Sequence, residues 1–396
     1  TLLEQPPRVV AVELPSWLEP AYRKAIARLP EMSVLFYPDE TGEEERAIYL
    51  PVDPSDPFAE AVRTALEIGA EVVFAEPGHR DRPHLPDSYP DTAAMAHIGL
   101  DKFVEAYRLC PQPRDEEIEA HAAGIAWKLQ GADPLASVLV VVSLNLLAPV
   151  MDAMETPQDP PPAGKPRPVE LYNLHPDCLA EVTVEYPYLQ DRYERYRGTL
   201  LGADAVDRRK VQLALFREAE QSYELSTGEK IAHWQRRLLA RFTRNLALAS
   251  GALAAGAFDL AVAARSVVDE NFAWDVWDLA NRYPEQQTES DRETVRISGE
   301  EVWIHTRKIH LRRRLPSMKR RMRPPGLKPR KREKYPGEWA KNLDGHGICS
   351  YPPEDLVIED YGRYLKKKGK SILSEEQARV EPFTTSMLDG VDLRET

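Results

Sequence analysis

The sequence alternates short apolar runs rich in β-branched residues with longer stretches whose apolar positions repeat every three or four residues. Residues 8–14, Arg-Val-Val-Ala-Val-Glu-Leu, form a run that stops at Pro15 and predicts a strand buried on both faces of a parallel sheet. Helical spacing follows over residues 18–29, where Leu18, Tyr22, Ala25, Ile26 and Leu29 share a face. Residues 32–37 and 47–52 return to strand character. Residues 57–68 predict a helix with Phe58, Ala61, Val62, Ala65 and Leu66 inward and Gly69 as its stop, and Glu71–Ala75 predicts a further strand. A helix over 114–129 and a strand over 137–143 complete the pattern.

Strands alternating with helices build a parallel sheet, because parallel neighbours need a crossover long enough for a helix. The expected fold class is therefore α/β: a parallel-sheet domain flanked by helices over residues 1–155. Six prolines within 156–168 favour an extended connector, so a proline-rich linker is placed at 156–170. A mainly α-helical region is expected over 171–290, with helices at 207–225, 229–248 and 252–283. On the second of these, Ile231, Trp234, Leu238, Phe242 and Leu246 read as the inward face, and Trp234, Trp274 and Trp277 as core anchors. Residues 291–396 open with a hairpin, Thr294–Ser298 and Glu301–His305 around Gly299-Glu300, and continue as an irregular basic C-terminal region with one helical stretch, 359–368.

Composition narrows the class. At 396 residues with 42 % apolar content the chain can bury a sizeable core, and no apolar run approaches the ~20 residues that cross a bilayer, so no membrane partner is expected. Cys110, Cys178 and Cys349 are scattered and odd in number, which fits a reducing compartment and a cytoplasmic location. The chain opens Thr1-Leu2-Leu3 with no initiator methionine and no secretory signal, so a further segment is expected upstream.

The net charge of −12 is unevenly spread: residues 307–334 hold 14 Lys and Arg against the single acid Glu333, a net of +13, which leaves −25 on the remainder. Within this belt Arg312, Arg313, Arg314, Lys319, Arg320, Arg321, Arg330, Lys331 and Arg332 offer phosphate contacts, and Trp303, Tyr335 and Trp339 flank them as stacking groups. Nucleic acid or a protein subunit could dock there, or the belt could pair with the chain's own acids.

Candidate chemistry gathers after the strands. Ligands of open α/β sheets collect at the carboxyl ends of strands, where Glu13, Glu76 and Asn145 stand, with His79 and His84 in the loop after Glu76. Two carboxylates and a histidine brought together could bind a divalent metal or work as an acid–base pair; singly, such residues are commonly solvated or salt-bridged. His346 and Cys349 fall short of a metal site. The sequence contains no Walker A loop, G-x-G-x-x-G, G-x-S-x-G, H-E-x-x-H or paired C-x-x-C, which removes support for P-loop hydrolases, Rossmann dehydrogenases, α/β-hydrolases and zincins.

Three segments carry a family resemblance: Arg8-Val-Val-Ala-Val-Glu-Leu-Pro15, Phe58-Ala-Glu-Ala-Val-Arg-Thr-Ala65 and Gly69-Ala-Glu-Val-Val-Phe-Ala-Glu76. Together they resemble the TraB/TIKI-like superfamily, related to the ChaN and erythromycin-esterase groups, over residues 8–150. The resemblance implies a metal-dependent hydrolase of peptide or ester bonds. By it Glu13 matches the first-strand glutamate, Glu60 the helix glutamate and Glu76 the strand-end acid, while Asn145 lies near the position of the late histidine. Glu13 and Glu76 would be ligand and base, with Glu60 and His84 completing the metal set. Oxygen ligands favour manganese or magnesium over zinc. The family's G-x-x-H is absent, Glu76-Pro77 stands for its Asp-Arg, and Asn145 is not a histidine. Two alternatives follow: the histidine-bearing strand lies upstream of Thr1, or the chain is a non-catalytic relative. The competing functional reading is a binding or assembly protein whose helical domain and basic belt engage nucleic acid or a partner subunit.

Overall fold

The computed structural model describes residues 5–39, 46–78, 82–83, 91–109, 114–199, 207–298, 301–304 and 307–313. All belong to the first of two compact units, residues 1–320; the second comprises 321–396.

The described elements, in chain order, begin with β1 (Val9–Pro15), α1 (Glu19–Ile26), β2 (Ser33–Pro38), β3 (Arg46–Val52), α2 (Pro57–Ile68) and β4 (Glu71–Glu76). Then come α3 (Met95–Ile98), α4 (Leu100–Arg108), α5 (Glu116–Gln130), β5 (Val138–Val141), α6 (Leu147–Met154), β6 (Glu170–Leu174), α7 (Leu179–Val182) and α8 (Pro187–Thr199). The remainder is α9 (Arg208–Thr227), α10 (His233–Ala249), α11 (Ala257–Val267), α12 (Glu270–Ala280), β7 (Thr294–Val295), β8 (Ile297–Ser298), β9 (Glu301–Ile304) and β10 (Arg307–Arg313).

The fold is mixed α/β, with a three-stranded parallel sheet, order β4-β1-β5, flanked by helices. Val9 lies opposite Glu71 on one side and Val138 on the other, and Val12 opposite Phe74 and Val141. β1 is buried along its whole length, as its unbroken apolar run requires of a central strand. Its residues alternate between two cores. Val10, Val12 and Leu14 pack with α1, α2, Val72 and Phe74, whereas Ala11 packs with Ala75 and with Ile118, Ala122 and Ile125 of α5.

Strands β2 and β3 do not extend this sheet. They pair antiparallel, Leu35 opposite Leu50, inside a mixed seven-stranded sheet of order β7-β6-β2-β3-β10-β9-β8. Leu35, Tyr37, Ile48 and Leu50 face the α1/α2 core, and Val34, Phe36 and Tyr49 face a further core closed by Leu179, Val182 and Tyr283. The segment 156–168 has neither helix nor strand, and β6 beyond it pairs antiparallel with β2. The hairpin read near residue 300 has its backbone pairing, Ile297 opposite Val302, with Gly299-Glu300 outside the described residues.

Helix ends follow local chemistry. Asp56 caps α2 by accepting from the Ala59 amide at 2.8 Å, Pro57 opens the helix, and Gly69 closes it at φ 72°, a left-handed conformation that a side chain would strain. The expected continuous helix over 252–283 is instead two helices. Asp269 adopts extended backbone and caps α12 by accepting from the Phe272 amide at 2.8 Å, which ends α11 and starts a new axis. Helices α9–α12, with Tyr186, Tyr188 and Leu189, surround a core that includes Leu215, Phe216, Leu260, Phe272 and Val276.

Trp234, Trp274 and Trp277 are not core anchors: their relative exposures are 62 %, 69 % and 40 %. On α10 the buried stripe is Leu239, Thr243 and Ala247, one position off the expected Trp234–Leu238 face. Among the described residues no helix is long and apolar enough to cross a membrane.

Candidate active site at the carboxyl edge of the parallel sheet

The three parallel strands bring their carboxyl ends to one rim. Glu13 is completely buried there, on the α5 side of β1. Arg82 reaches it from the segment after β4: its Nε donates to Glu13 Oε1 at 2.7 Å, and its Nη2 donates to Ser143 Oγ at 2.8 Å. Ser143, just past β5, closes the triangle by donating its amide to Glu13 Oε2 at 2.7 Å. Segments far apart in sequence thus share one carboxylate.

Two further buried polar groups stand on the neighbouring segments, α5 and the turn after β5. His121, buried on α5, interacts electrostatically with Glu13. Asn145, buried in the turn after β5, accepts from the Tyr107 hydroxyl at 2.5 Å. Helix α5 comes close because residue 124 is glycine: a Cβ there would lie 2.8 Å from the Pro77 ring, which follows β4. His121 sits one turn before that contact.

Burial alone pushes the Glu13 carboxyl up; the Arg82 guanidinium, the His121 ring and the Ser143 amide reverse this and hold it below the ordinary carboxylate range. Glu13 is therefore an anion at neutral pH. It cannot serve as a general acid, and both its oxygens already accept hydrogen bonds.

Glu76 is also buried, at 4 % exposure, but on the other face. Strand alternation places it with Val72 and Phe74, toward the α1/α2 core, whereas Glu13 lies with Ala11 toward α5. The two carboxylates share the rim without sharing a face. Glu60, on the first turn of α2, accepts from Arg197 Nε at 2.9 and 3.0 Å and from Thr64 Oγ1 at 2.9 Å, in a network that joins α2 to α8. Its partners are distinct from those of Glu13.

His79 and His84 lie outside the described residues, as do Cys110, His346 and Cys349. Of the basic belt, Arg312 and Arg313 fall in β10, their backbone paired with Ile48 and Tyr49; Arg314, Lys319, Arg320, Arg321, Arg330, Lys331 and Arg332 lie outside the described residues.

The donor set implied by the resemblance can be tested on this geometry. Glu13 Oε1 accepts from the Arg82 guanidinium and Oε2 from the Ser143 amide, Glu60 is engaged by Arg197, and Glu76 follows Phe74 in the strand alternation. Among the described residues no group of three or more His, Cys, Asp or Glu could hold a metal ion. Glu13, Glu60 and Glu76 as placed do not fit a divalent ion, and His84 lies outside the described residues.

Sequence reading located Glu13 and Asn145 but gave no role to Arg82, Ser143, His121 or Tyr107. One signal pointed to His121: it interrupts the apolar stripe Ile118, Ala122, Ile125, Leu129 of a helix expected to pack on the sheet. Comparison of the chain with protein-family models, with curated proteins and with solved structures returned no match. Its architecture is that of a mixed α/β protein with a parallel three-stranded sheet and a polar cluster at that sheet's carboxyl rim.

Proposed function

We propose that this rim is the centre of a cytoplasmic hydrolase of ester or peptide bonds, akin to the TraB/TIKI-like proteins in carrying a first-strand glutamate but working with a serine. The observation that supports the reading is the Glu13–Arg82–Ser143 triangle, a buried ion pair aimed at the hydroxyl of a half-buried serine where a strand turns into a helix. The scattered cysteines support the compartment.

Ser143 Oγ attacks the substrate carbonyl carbon, and the role of proton acceptor is assigned to His121, the buried imidazole of α5 that acts electrostatically on the same carboxylate. The C–O bond to serine forms as the carbonyl π electrons move to oxygen. When the tetrahedral adduct collapses, the bond to the leaving alcohol or amine breaks and His121 returns the proton to it. Water then attacks the acyl-serine by the same route and regenerates Ser143. Arg82, whose Nη2 donates to Oγ, favours the serine alkoxide that attacks, which activates the nucleophile. Glu13 is a positioning residue: it fixes the Arg82 guanidinium and faces the imidazolium that forms at His121.

The test is covalent. The full chain is treated with an aryl phosphonate, which forms a stable adduct only with an activated serine, and the labelled peptide is identified by mass spectrometry. The reading expects stoichiometric labelling at Ser143, undiminished by a chelator and lost in Arg82→Met. An unlabelled Ser143 would reduce the triangle to a structural pin and favour the alternative of a binding protein acting through its helices and basic belt.

A further inference from the structure

Helix α10 is amphipathic twice over. Opposite its buried stripe of Leu239, Thr243 and Ala247, the residues Trp234, Leu238, Arg241, Asn245 and Leu248 recur at spacings of four, three, four and three along its outer face. That is the seam spacing of helices that pack on one another, and it runs for about 21 Å. The helix holds four arginines and no acid. Arg236 pairs with Glu220, while Arg237, Arg241 and Arg244 are exposed with no ion pair among the described residues.

A matching face stands on α12. Glu270, Trp274, Trp277 and Asn281 recur at four, three and four residues, with Asp278 alongside, opposite the buried Phe272, Val276 and Ala280. This second stripe is aromatic and acidic. Its acids are paired only with exposed arginines, Arg265 with Glu270 and Arg282 with Asp278, contacts worth so little in water that they exchange readily. Trp and Arg on one face are residues enriched at protein interfaces. The leucines give a nucleic acid nothing to stack on.

We propose that a second copy of this chain covers the α10 stripe with its own α12. Opposite charges flank seams of the same period, and among the described residues Trp234, Leu238, Leu248, Trp274 and Trp277 are all exposed. Because every copy carries one stripe of each kind, each copy offers one donor and one acceptor face for this heterologous contact.

Sedimentation velocity of the full chain in the micromolar range tests this. The unmodified chain is expected to associate. The triple change Arg237→Glu, Arg241→Glu, Arg244→Glu, and separately Glu270→Arg with Asp278→Arg, should each raise the dissociation constant about a hundredfold or more, since each sets like charges face to face. An equimolar mixture of the two variants should associate again, which shows that both remain folded. Leu238→Ser with Trp234→Ala gives an uncharged check and should also dissociate the pair. A monomeric unmodified chain, association unaffected by either reversal, or a mixture that stays monomeric would each overturn the proposal. So would a monomer whose α10 arginines bind oligothymidylate, which would mark a nucleic-acid surface.

Discussion

Arg82 and Glu13 meet at 2.7 Å with side chains only 9 % and 0 % exposed, so a chain segment that follows β4 is pinned to the middle strand of the sheet by a buried ion pair. Removing one partner of such a pair leaves an uncompensated charge in a dry place. Arg82→Met should lower the free energy of unfolding by about 3–5 kcal/mol, and the double variant Glu13→Gln/Arg82→Met should recover a large part of that loss. Urea denaturation of the two single variants and the double variant measures the coupling. A loss in the double variant equal to the sum of the two single losses would show that the pair is not coupled.

Acid should act on the same contact. The folded-state pKa of Glu13 lies below its ordinary value of 4.5, so its stabilising contribution is fully present above that value and is lost as pH falls through the lowered folded value. Unfolding free energies measured across the acid range should therefore fall more steeply for the unmodified chain than for Glu13→Gln. Parallel curves for the two proteins would contradict the assignment.

Gly124 and Gly198 should respond with opposite signs. A Cβ at 124 meets the Pro77 ring at 2.8 Å, whereas one at 198, near the end of α8, meets nothing within 4 Å. Gly124→Ala should cost about 1–3 kcal/mol by forcing α5 from the sheet. Gly198→Ala should gain up to about 0.5–1 kcal/mol from reduced chain entropy. Thermal unfolding of both variants checks the contrast, and a neutral Gly124→Ala would mean that α5 is free to shift.

Glu60 separates the network on α2 from the centre. Glu60→Gln keeps the shape of the side chain and weakens its pairing with Arg197, so it should leave hydrolysis unchanged, with a stability loss of about 1 kcal/mol or more for a partly buried pair. Ester turnover measured beside Ser143→Ala makes the comparison. A loss of rate as deep as that of Ser143→Ala would place Glu60 in the machinery.

Much of this architecture was legible in the order of residues. The apolar run 8–14, the strand 71–75 and the run 137–143 do lie side by side and point the same way, because fully buried parallel strands leave an unmistakable composition. What the sequence could not reveal was which face of each strand meets which helix. Period-two alternation groups Val72, Phe74 and Glu76, yet only the packing of α5 against Ala11 and Ala75 shows that Glu13 turns the other way. Helix α10 posed the same problem more sharply. With apolar residues all round, size decided: Thr243 and Ala247 permit close approach to α11, and the bulkier Trp234 and Leu238 were left outside. Asp269 hid a helix boundary because aspartate reads equally as an exposed interior residue and as a cap.

The centre itself is tested most directly by a rapid-mixing assay of the full chain with a chromogenic aryl ester in excess. An acyl-serine route predicts a burst of released phenol equal to one per chain before the steady state, abolished in Ser143→Ala and reduced by about 10²-fold or more in rate in Arg82→Met. Linear release from the first time point, at the same rate in the unmodified chain and in Ser143→Ala, would contradict it.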